Sequence, residues 1–354
     1  MKKIRVSTPL RGYDIIIGEN ALPKSAGDIC GICTGGRACV VSDENVWKLY
    51  GRHITDVLTG AGIQFFEIVL SPGEQSKSME TVSFLCGMFA RHGLQRRDPV
   101  IAFGGGTVGD TAGFAASVYM RGVPLIQIPT TLTAQADSAV GGKTAVNLAE
   151  GKNLAGSFYQ PSLVVSDLSL LRTLDEREMK SGLAEIIKYA VIGEDKIYEI
   201  LENSQNISDD LEQIVYLSCR FKGEFTEADE YDNAQRRLLN FGHTFAHAIE
   251  KYSGYGTFSH GEAVAAGMGY ALRVSEHLKL ISSGQAQRHA ALAEKYGLVS
   301  ACGTDIKELI NLMKADKKNK GGNISLVLLS GRTALIREIS AADLESALGA
   351  DSDE

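Results

Sequence analysis

The stretch PVIAFGGGTVGD, from Pro99 to Asp110, determines how the first half of this chain can fold. Its apolar run predicts a buried strand, and the three glycines that follow let the backbone pass close to a ligand. If a helix begins after the glycines, its first N–H groups have no partner within the helix and can bind a pyrophosphate. The spacing differs from the usual GxGxxG fingerprint, so the stretch alone is a weak sign of a nucleotide site.

Other apolar runs of the first half also have the length of buried strands. They cover residues 38–42, 65–70, 99–103, 124–129 and 163–167, and helix-patterned segments at 46–58 and 78–92 separate the earlier ones. Continuous apolar strands joined by helices predict a parallel sheet that is buried on both faces. The predicted fold class is therefore α/β, with a mostly parallel, Rossmann-like sheet in this half.

Polar side chains or glycines stand directly after three of the predicted strands. Asp43 ends the first, PGEQSK with Glu74 and Lys77 follows the second, and the glycine turn follows the third. Ligands of open parallel sheets bind beyond the carboxyl ends of the strands, so these groups should converge on one crevice. An acidic side chain at a strand end can hold the hydroxyl pair of a ribose. The pattern indicates a dinucleotide as the ligand.

From about Thr173 onward the pattern changes to long helical segments with little strand signal. The exception is ISLVLLSGRTALIREIS at residues 324–340, which predicts a hairpin that turns at Ser330 and Gly331. The change predicts two domains, an α/β nucleotide-binding domain at residues 1–174 and a mainly α-helical domain at residues 175–354. With 354 residues the chain is long enough for two hydrophobic cores.

The composition argues against binding to nucleic acid or membranes. Hydrophobic residues make up 44% and charged residues 22% of the chain, and the net charge of −7 argues against a nucleic-acid surface. The apolar runs are shorter than a membrane span, and MKKIRVSTPL lacks the apolar core of a signal peptide. We therefore expect a cytoplasmic enzyme that binds neither nucleic acid nor membrane.

Six cysteines in a chain of this size do not indicate a disulfide framework. Cys30 and Cys33 form a CxxC pair with Cys39 close behind, which is a spacing found in redox and zinc sites. However, no second cysteine pair or nearby histidine completes a tetrahedral site, and the surroundings are unlike those of thioredoxins. We interpret this stretch as a turn before a strand.

Three potential metal ligands lie far apart in the second half of the chain. They are Glu185 in AEIIKYA, His243 in NFGHTFAH and His260 in SHGEAVAAG, each in a segment of helical pattern. Two imidazoles and one carboxylate form a zinc set that leaves the fourth position open, which is typical of catalytic zinc. A lone histidine on a helix is more often a packing residue, so this hypothesis requires that folding brings all three together.

The segment from Ile128 to Pro161 is the most specific part of the sequence. It reads IPTTLTAQADSAVGGKTAVNLAEGKNLAGSFYQP, which is long, irregular in pattern and rich in polar side chains, as functional loops are. It closely resembles the 3-dehydroquinate synthase family, whose members carry TTLxAQxDSxVGGKT followed by GKNxxGxFxQP. The resemblance continues through LNFGHTFAHAIE at 239–250, HGEAVAAGM at 260–268 and ADKKNKGG at 315–322, and so covers nearly the whole chain.

This resemblance implies a reaction and two cofactors. Members of the family use NAD and a divalent metal, typically zinc with cobalt as an alternative, to convert 3-deoxy-D-arabino-heptulosonate 7-phosphate (DAHP) into 3-dehydroquinate and phosphate. One site carries out alcohol oxidation, phosphate elimination, carbonyl reduction, ring opening and aldol closure, as a step of the shikimate pathway to aromatic amino acids. NAD is regenerated in each turnover, and family members are usually homodimers.

The resemblance also implies roles for individual residues. Glu185, His243 and His260 match the metal ligands. The cofactor contacts match Asp43, Glu74, Lys77, Gly105, Gly106, Thr107, Asp110, Thr130, Thr131, Asp137, Lys143, Lys152, Leu170, Leu171, Arg172 and Thr173. The catalytic and substrate contacts match Arg121, Asp137, Lys143, Lys152, Asn153, Lys188, Lys222, Arg236, Asn240 and His247. At least one of Lys317 and Lys318 should reach the substrate phosphate.

The sequence departs from the family pattern at a few loop positions. Ala145 stands where glycine is common, Leu148 and Ala149 replace a frequent His-Pro pair, and Asp232 replaces a frequent glutamate. These positions affect the conformation of loops more than the reacting groups, so we expect the chemistry to be retained.

Three other functions stay open at this stage. Sugar-phosphate cyclases that form 2-deoxy-scyllo-inosose or valiolone products share the fold and cofactors, but differ at the positions that match Arg236 and His247. Metal-dependent glycerol and alcohol dehydrogenases share a glycine turn and a helical second domain, but lack the GGKT and GKN motifs. A non-catalytic relative that only binds ligands would have lost metal ligands or lysines, and none is missing here.

Overall fold

The computed structural model describes residues 1–9, 11–254, 256–299, 303–314 and 323–349. The chain forms two compact units, one of Met1–Leu174 with Leu211–Tyr231 and the other of Asp175–Asp210 with Asp232–Glu354. Lys317 and Lys318, which the resemblance assigns to the substrate phosphate, lie outside the described residues.

The first unit is built around a seven-stranded sheet. Its strands and one separate hairpin are Lys2–Ser7 (β1), Gly12–Gly18 (β2), Arg37–Asp43 (β3), Gln64–Leu70 (β4), Val100–Gly104 (β5), Leu125–Pro129 (β6), Lys143–Leu148 (β7), Gly151–Phe158 (β8) and Leu163–Asp167 (β9). The sheet has the order β1-β2-β9-β6-β5-β3-β4, and β7 and β8 form a separate two-stranded sheet. Since β1 alone is antiparallel to its neighbour, the prediction of a mostly parallel sheet is confirmed.

The helices of the chain are Ala21–Lys24 (α1), Ala26–Ile32 (α2), Glu44–Gly60 (α3), Met79–Arg91 (α4), Gly106–Val118 (α5), Glu176–Val191 (α6), Asp195–Asn203 (α7), Ile207–Ala228 (α8), His243–Tyr252 (α9), His260–His277 (α10), Ser283–Lys295 (α11), Ile306–Lys314 (α12) and Ala341–Gly349 (α13). In the described part of the chain, none of them is long and apolar enough to cross a membrane.

Both faces of the sheet are covered by apolar side chains. Successive residues of β5 alternate between two cores, since Ile101 and Phe103 pack in one cluster and Val100 and Ala102 in the other. The first cluster includes residues of α1, α2 and α3, and the second includes residues of α4 and α5. A strand buried on both faces has no polar side to alternate with, which explains its continuous apolar sequence.

Two features of this unit were not predicted. The antiparallel pair β1–β2 adds to the sheet through β2, which runs parallel to β9. The segment at 128–161, predicted as an irregular loop, contains a π-helical turn at Ala134–Ser138 and the hairpin β7–β8. The hairpin shows little strand signal because β8 is rich in glycine and polar residues and mostly half-buried or exposed.

Most of α8 belongs to the first unit, although the sequence-based division places residues 175–354 in one helical domain. The physical reason is a set of hydrogen bonds from this helix to the sheet unit. Glu227 accepts the backbone N–H of Ser7 at 2.6 Å, and the Cys219 thiol donates to the carbonyl of Gln135 at 3.1 Å. The assignment of a cofactor domain and a metal-binding domain stays a prediction.

The second unit is mainly helical with one antiparallel hairpin, Asn323–Ser330 (β10) and Thr333–Ser340 (β11). Ser330 pairs with Thr333 across a two-residue turn, so the predicted hairpin is confirmed. Gly331 has a φ of 59°, the left-handed conformation that this kind of turn requires and that glycine adopts without strain.

Glycines let α10 approach two other helices closely. A Cβ added at Gly267 would lie 2.2 Å from the carbonyl oxygen of Gly242, directly before α9, and one at Gly261 would lie 2.3 Å from the Cα of Ser181 in α6. Side chains at these positions would push the helices apart. Because α6, α9 and α10 carry Glu185, His243 and His260, this packing sets the distances between the three predicted metal ligands.

This packing predicts that Gly267→Ala destabilises the protein. The added methyl group must displace backbone atoms, so the free energy of unfolding should fall by about 1–3 kcal/mol. Gly284→Ala is a matched control in α11, where no heavy atom lies within 4 Å of the added Cβ. The control should be neutral or stabilise by about 0.5–1 kcal/mol, since alanine reduces the entropy of the unfolded chain. Urea unfolding followed by circular dichroism measures the stability of both variants. Equal unfolding midpoints for the two variants would contradict the packing argument.

Candidate active site

The three predicted metal ligands lie together in the second unit. The ligating atoms of Glu185, His243 and His260 are all within 4.8 Å of one another. Glu185 Oε1 lies 3.0 Å from Nε2 of His260 and 3.6 Å from Nε2 of His243. Tetrahedral zinc with bonds of about 2.1 Å separates its ligand atoms by roughly 3.4 Å, so the cluster has the size of a zinc site. The residues present therefore fit a divalent metal.

Local structure places the two histidines at the start of their helices. His243 is the first residue of α9 and follows Gly242, whose φ of 78° turns the chain into the helix. His260 is the first residue of α10, which begins with a capping box formed by Ser259 and Glu262. Arg177 pairs with Glu262 at 2.8 Å and so ties this cap to the start of α6. Helix ends, rather than helix faces, supply both imidazoles.

The cluster surrounds a buried carboxylate with positive charge. Glu185 has no exposed surface, and its Oε2 accepts a hydrogen bond of 2.5 Å from Lys188, one helical turn away. Burial opposes the charge of Glu185, but Lys188 and the two imidazoles hold the pKa of its carboxyl well below the usual value. Glu185 is therefore ionised at neutral pH, as a metal ligand must be.

The two imidazoles differ in their affinity for protons. Burial lowers the pKa of His243 to about 3, although Glu185 acts in the opposite direction. Burial also acts to lower the pKa of His260, but its contacts with the carboxylates of Glu185 and Glu250 raise it to about 10. In the metal-free protein at neutral pH, His243 is neutral and His260 carries a proton.

Outer contacts orient both histidines so that Nε2 points to the cluster. The Nδ1 of His243 lies 3.2 Å from the backbone carbonyl of Phe241, which fixes the tautomer that leaves Nε2 able to bind metal. The Nδ1 of His260 lies 3.8 Å from Oε1 of Glu250, a side chain that is 4% exposed. Glu250 was not among the predicted site residues. Its signal in the sequence is the spacing, since it stands two helical turns after His243 in HTFAHAIE.

The predicted cofactor motifs meet in the first unit, beyond the carboxyl ends of the parallel strands. Lys77 forms an ion pair of 2.7 Å with Asp110, and Thr107 lies 3.4 Å from the carboxylate of Glu74. Residues that follow β4 thus contact residues that follow β5. Burial raises the pKa of Asp110, although the Lys77 ammonium opposes this shift.

The other predicted cofactor residues follow neighbouring strands of the same sheet. Asp43 ends β3, and its carboxylate caps α3 by accepting the N–H groups of Asn45 and Val46. Gly105 caps α5, which begins at Gly106. The first N–H groups of a helix have no partner within the helix and can bind a pyrophosphate.

The glycine turn packs directly on the turn after β6. A Cβ added at Gly105 would lie 3.0 Å from the Thr131 side chain, so the two turns touch. Thr130 is buried, and among the described residues its hydroxyl has no hydrogen-bond partner. A buried hydroxyl without a partner beside a glycine turn fits a site that receives a polar ligand.

The predicted stretch at 170–173 lies in a 3-10 helix, Leu168–Thr173, after β9. Leu170 and Leu171 are buried, whereas Arg172 is exposed and pairs with Glu19 at 2.9 Å. Thr173 shares a hydrogen bond of 2.8 Å with Tyr50. This stretch therefore stands at the carboxyl edge of the sheet with the other predicted cofactor residues.

Five predicted substrate residues of the first unit lie in the π-helical turn or the β7–β8 hairpin, or contact the turn. Lys222 of α8 forms an ion pair with Asp137 and donates to the Asp137 carbonyl at 2.8 Å. Lys143 begins β7, and Lys152 and Asn153 lie in β8. Lys222 is thus held at the π-helical turn, which precedes β7 in the chain.

The predicted substrate residues of the second unit flank the metal cluster along the chain. Arg236 and Asn240 lie in the 3-10 helix Gln235–Asn240, directly before His243, and Arg236 is 1% exposed. His247 is one turn after His243, and the two rings are 6.0 Å apart. The prediction that His247 faces the same side as His243 is confirmed.

Arg121 lies beyond the C-terminal end of α5, at the opposite end of the helix from the glycine turn. It lies in an exposed turn after α5, with a φ of 65°, directly before β6 begins. The 13 residues of α5 span about 20 Å, so the helix separates Arg121 from the glycine turn at its other end. Arg121 is thus at the amino edge of the sheet, and its contact with substrate phosphate stays a prediction.

Comparisons with known proteins match both parts of the chain. A family model described as 3-dehydroquinate synthase N-terminal matches residues 67–181, and one described as 3-dehydroquinate synthase C-terminal matches residues 182–319. The 3-dehydroquinate synthase of Neisseria meningitidis serogroup A is 42% identical over 351 residues, which cover 97% of this chain and 98% of that protein. The enzyme of the same name from Enterococcus faecalis is 41% identical and covers 92% of both chains.

The chain belongs to the 3-dehydroquinate synthase family. This confirms the resemblance and the fold class that it implies. A solved structure of 2-deoxy-scyllo-inosose synthase with carbaglucose-6-phosphate, NAD⁺ and Co²⁺ has a TM-score of 0.87, with 26% identity and 98% of both chains covered. A 2-epi-5-epi-valiolone synthase from Streptomyces hygroscopicus, with NAD⁺ and Zn²⁺, has a TM-score of 0.86, with 28% identity and 95% of both chains covered. An iron-containing alcohol dehydrogenase, at 16% identity and a TM-score of 0.68, shares the fold alone.

The different pKa values of the ligands predict how this family member takes up metal. At pH 7 a divalent ion must displace the proton of His260, whereas His243 and Glu185 already lack one. Binding should therefore release about one proton, and affinity should rise about tenfold per pH unit up to the pKa of His260. Calorimetry of Zn²⁺ binding to the metal-free protein, in buffers of different ionisation enthalpy, counts the protons. Release of two protons, or of none, would show that these charge states are wrong.

Glu250 should tighten metal binding through His260. Glu250→Gln keeps the shape of the side chain but removes the charge that orients the imidazole, so Zn²⁺ affinity should fall about 10–100-fold. Glu294→Gln, at an exposed position in α11, removes the same charge away from the cluster and should leave affinity unchanged. Competition with a chelator measures the Zn²⁺ affinity of both variants. Equal affinities of Glu250→Gln and Glu294→Gln would argue against the role of Glu250.

Proposed function

We propose that this protein acts as a 3-dehydroquinate synthase, a phosphorus–oxygen lyase that converts DAHP into 3-dehydroquinate and phosphate. The observation that carries the proposal is the cluster of Glu185, His243 and His260, which three separate helices supply. Such a cluster leaves a coordination position open for a substrate oxygen. The sequence around it keeps the family motifs that the resemblance assigns to substrate and cofactor.

Sequence identity separates this reaction from those of the related cyclases. The curated 3-dehydroquinate synthases are 40–42% identical to the chain, whereas the inosose and valiolone synthases of known structure are 26–28% identical. The resemblance implies that the positions matching Arg236 and His247 distinguish these reactions, and here both follow the dehydroquinate type. We therefore favour DAHP over other sugar phosphates as the substrate.

The metal cluster is proposed to bind the substrate hydroxyl that is oxidised. Glu185, His243 and His260 would hold a divalent ion, for which we propose zinc. When bound, the ion polarises substrate oxygens and stabilises the negative charge that develops on them. Glu250 and the Phe241 carbonyl hold the imidazoles in the required orientation.

Lys188 provides charge compensation at the same place. Its ammonium bonds to the Glu185 oxygen that faces away from the two imidazoles, so it keeps the buried carboxylate ionised. The resemblance assigns Lys188 to the substrate as well. An ammonium group has three donors, so Lys188 can bond to the Glu185 carboxylate and to the substrate at the same time.

The carboxyl edge of the sheet is proposed to bind NAD. Asp43 and Glu74 would hold ribose hydroxyls, and the partnerless N–H groups at the start of α5 would hold the pyrophosphate. When bound, NAD would supply the hydride-transfer chemistry of the reaction without net consumption of the cofactor. The Lys77–Asp110 ion pair would keep the turns after β4 and β5 in place.

The lysines of the first unit are proposed to bind the anionic groups of the substrate. Lys143, Lys152 and Lys222 supply cations, and Asp137 holds the ammonium group of Lys222 in place. The departing phosphate is expected to act largely as its own base, so these residues contribute positioning more than proton transfer. We also propose that the enzyme is a cytoplasmic homodimer, as the family resemblance implies.

The test of this function is phosphate release from DAHP. Phosphate should appear only when NAD is present, in amounts far above that of NAD, and no net NADH should accumulate. Removal of metal by a chelator should abolish release, and added Zn²⁺ or Co²⁺ should restore it. Net NADH formation with glycerol or another simple alcohol would indicate a dehydrogenase instead.

Replacing one ligand tests the metal cluster within the same assay. His260→Ala removes a ligand and should lower turnover on the order of a hundredfold or more, since a bound metal contributes several kcal/mol to catalysis. His277→Ala, an exposed histidine at the other end of α10, is the matched control and should keep full activity. If metal-free protein or His260→Ala turned over at the full rate, the ligand assignment would be wrong.

A further inference from the structure

We propose that Asn147 is a positioning residue that couples the cofactor motif at Glu74–Lys77 to the substrate hairpin at Lys152–Asn153. Neither the family resemblance nor the metal cluster assigns a role to Asn147. The inference rests on the proposed function, because that function makes Glu74 a cofactor contact and Asn153 a substrate contact. Asn147 would act through these residues rather than on the reacting atoms.

The side chain of Asn147 bonds in two directions. Its Nδ2 donates to Oε1 of Glu74 at 2.7 Å, and its Oδ1 accepts the backbone N–H of Asn153 at 2.9 Å. Its own backbone N–H donates to the carbonyl of Lys77 at 2.9 Å. One residue therefore bonds to both ends of the cofactor motif and to the hairpin.

The hairpin needs this support because its pairing is interrupted at Asn147. Val146 pairs with Ala155 and Leu148 with Gly151, so three residues of β8 stand opposite one residue of β7. Residues within such a bulge lose regular cross-strand hydrogen bonds. Asn153 lies within it and has a φ of 55°, which costs energy for a residue other than glycine. The amide of Asn147 replaces the missing partner of Asn153 and holds this conformation.

The cofactor motif needs support for a similar reason. Glu74 lies in a single 3-10 turn, Glu74–Ser76, whose regular structure is too short to hold a carboxylate in place. Its two oxygens face Asn147 and the hydroxyl of Thr107. A ribose that binds Glu74 would restrain this carboxylate further, and Asn147 would transmit the restraint to the hairpin.

The amide of Asn147 meets both chemical requirements of this position. Asn147 must donate to an ionised carboxylate on one side and accept from a backbone N–H on the other, and asparagine has both groups. Aspartate would place a second carboxylate against Glu74, and alanine would leave the N–H of Asn153 without its partner. Both substitutions should uncouple the two sites, but for different physical reasons.

The test measures how strongly the two ligands help each other to bind. NAD binding is followed by calorimetry on the zinc-loaded protein, with and without a saturating phosphonate analogue of DAHP that cannot react. In the natural protein we expect the analogue to raise NAD affinity about tenfold, within the usual range of coupling between sites. In Asn147→Ala and Asn147→Asp this factor should fall to about one.

Leu148→Ala is the matched control, an exposed position next to Asn147 in the same strand. It should keep the full coupling factor. A residue that only stabilised the fold would weaken each ligand separately but leave the coupling factor unchanged, so the factor distinguishes positioning from a structural role. If Asn147→Ala does not fold, as judged by circular dichroism, Asn147→Asp provides the same measurement because it keeps the shape of the side chain.

The outcomes separate this inference from the proposed function. Loss of coupling in the Asn147 variants, with coupling retained in Leu148→Ala, supports the inference. Coupling that is unchanged in the variants, or absent from a natural protein that releases phosphate from DAHP, overturns the inference and leaves the function standing. A natural protein that binds neither NAD nor the analogue overturns both.

Discussion

A carboxylate without exposed surface is the constraint on which the second unit depends. Burying the charge of Glu185 costs several kcal/mol unless cations and hydrogen bonds compensate for it. Lys188 and His260 provide that compensation in the metal-free protein, and a divalent ion would provide more. The close packing of α10, which its glycines allow, keeps these groups near the carboxylate. Charge burial and helix packing thus depend on each other.

In the first unit, several segments that follow the strands must keep fixed positions relative to one another. Each parallel strand ends at the same edge of the sheet. Side-chain contacts join the segments that follow these strands, through Lys77 and Asp110, Glu74 and Thr107, and Asn147. A site assembled from such contacts can respond as a whole when a ligand binds one turn.

Much of this arrangement could be predicted from the sequence, because the relevant signals are local. The apolar run of β5 and the glycines after it specify a buried strand, a turn and a helix N-terminus in consecutive residues. The hairpin at Ser330 and Gly331 is equally local. The metal ligands needed more, since only the family resemblance or the fold could show that Glu185, His243 and His260 meet.

Contacts between residues far apart in sequence were decided by the tertiary structure alone. Asn147 contacts Glu74 across 73 positions, and neither residue carries a local signal of this pairing. Lys222 resembles a solvated lysine in the helical pattern, yet it is buried against Asp137. The sequence by itself determined the parallel strands β3, β4, β5, β6 and β9, the glycine turn after β5, the β10–β11 hairpin and the family. Tertiary structure decided which turns touch and which charges are paired, because burial and contact depend on neighbours that local periodicity does not encode.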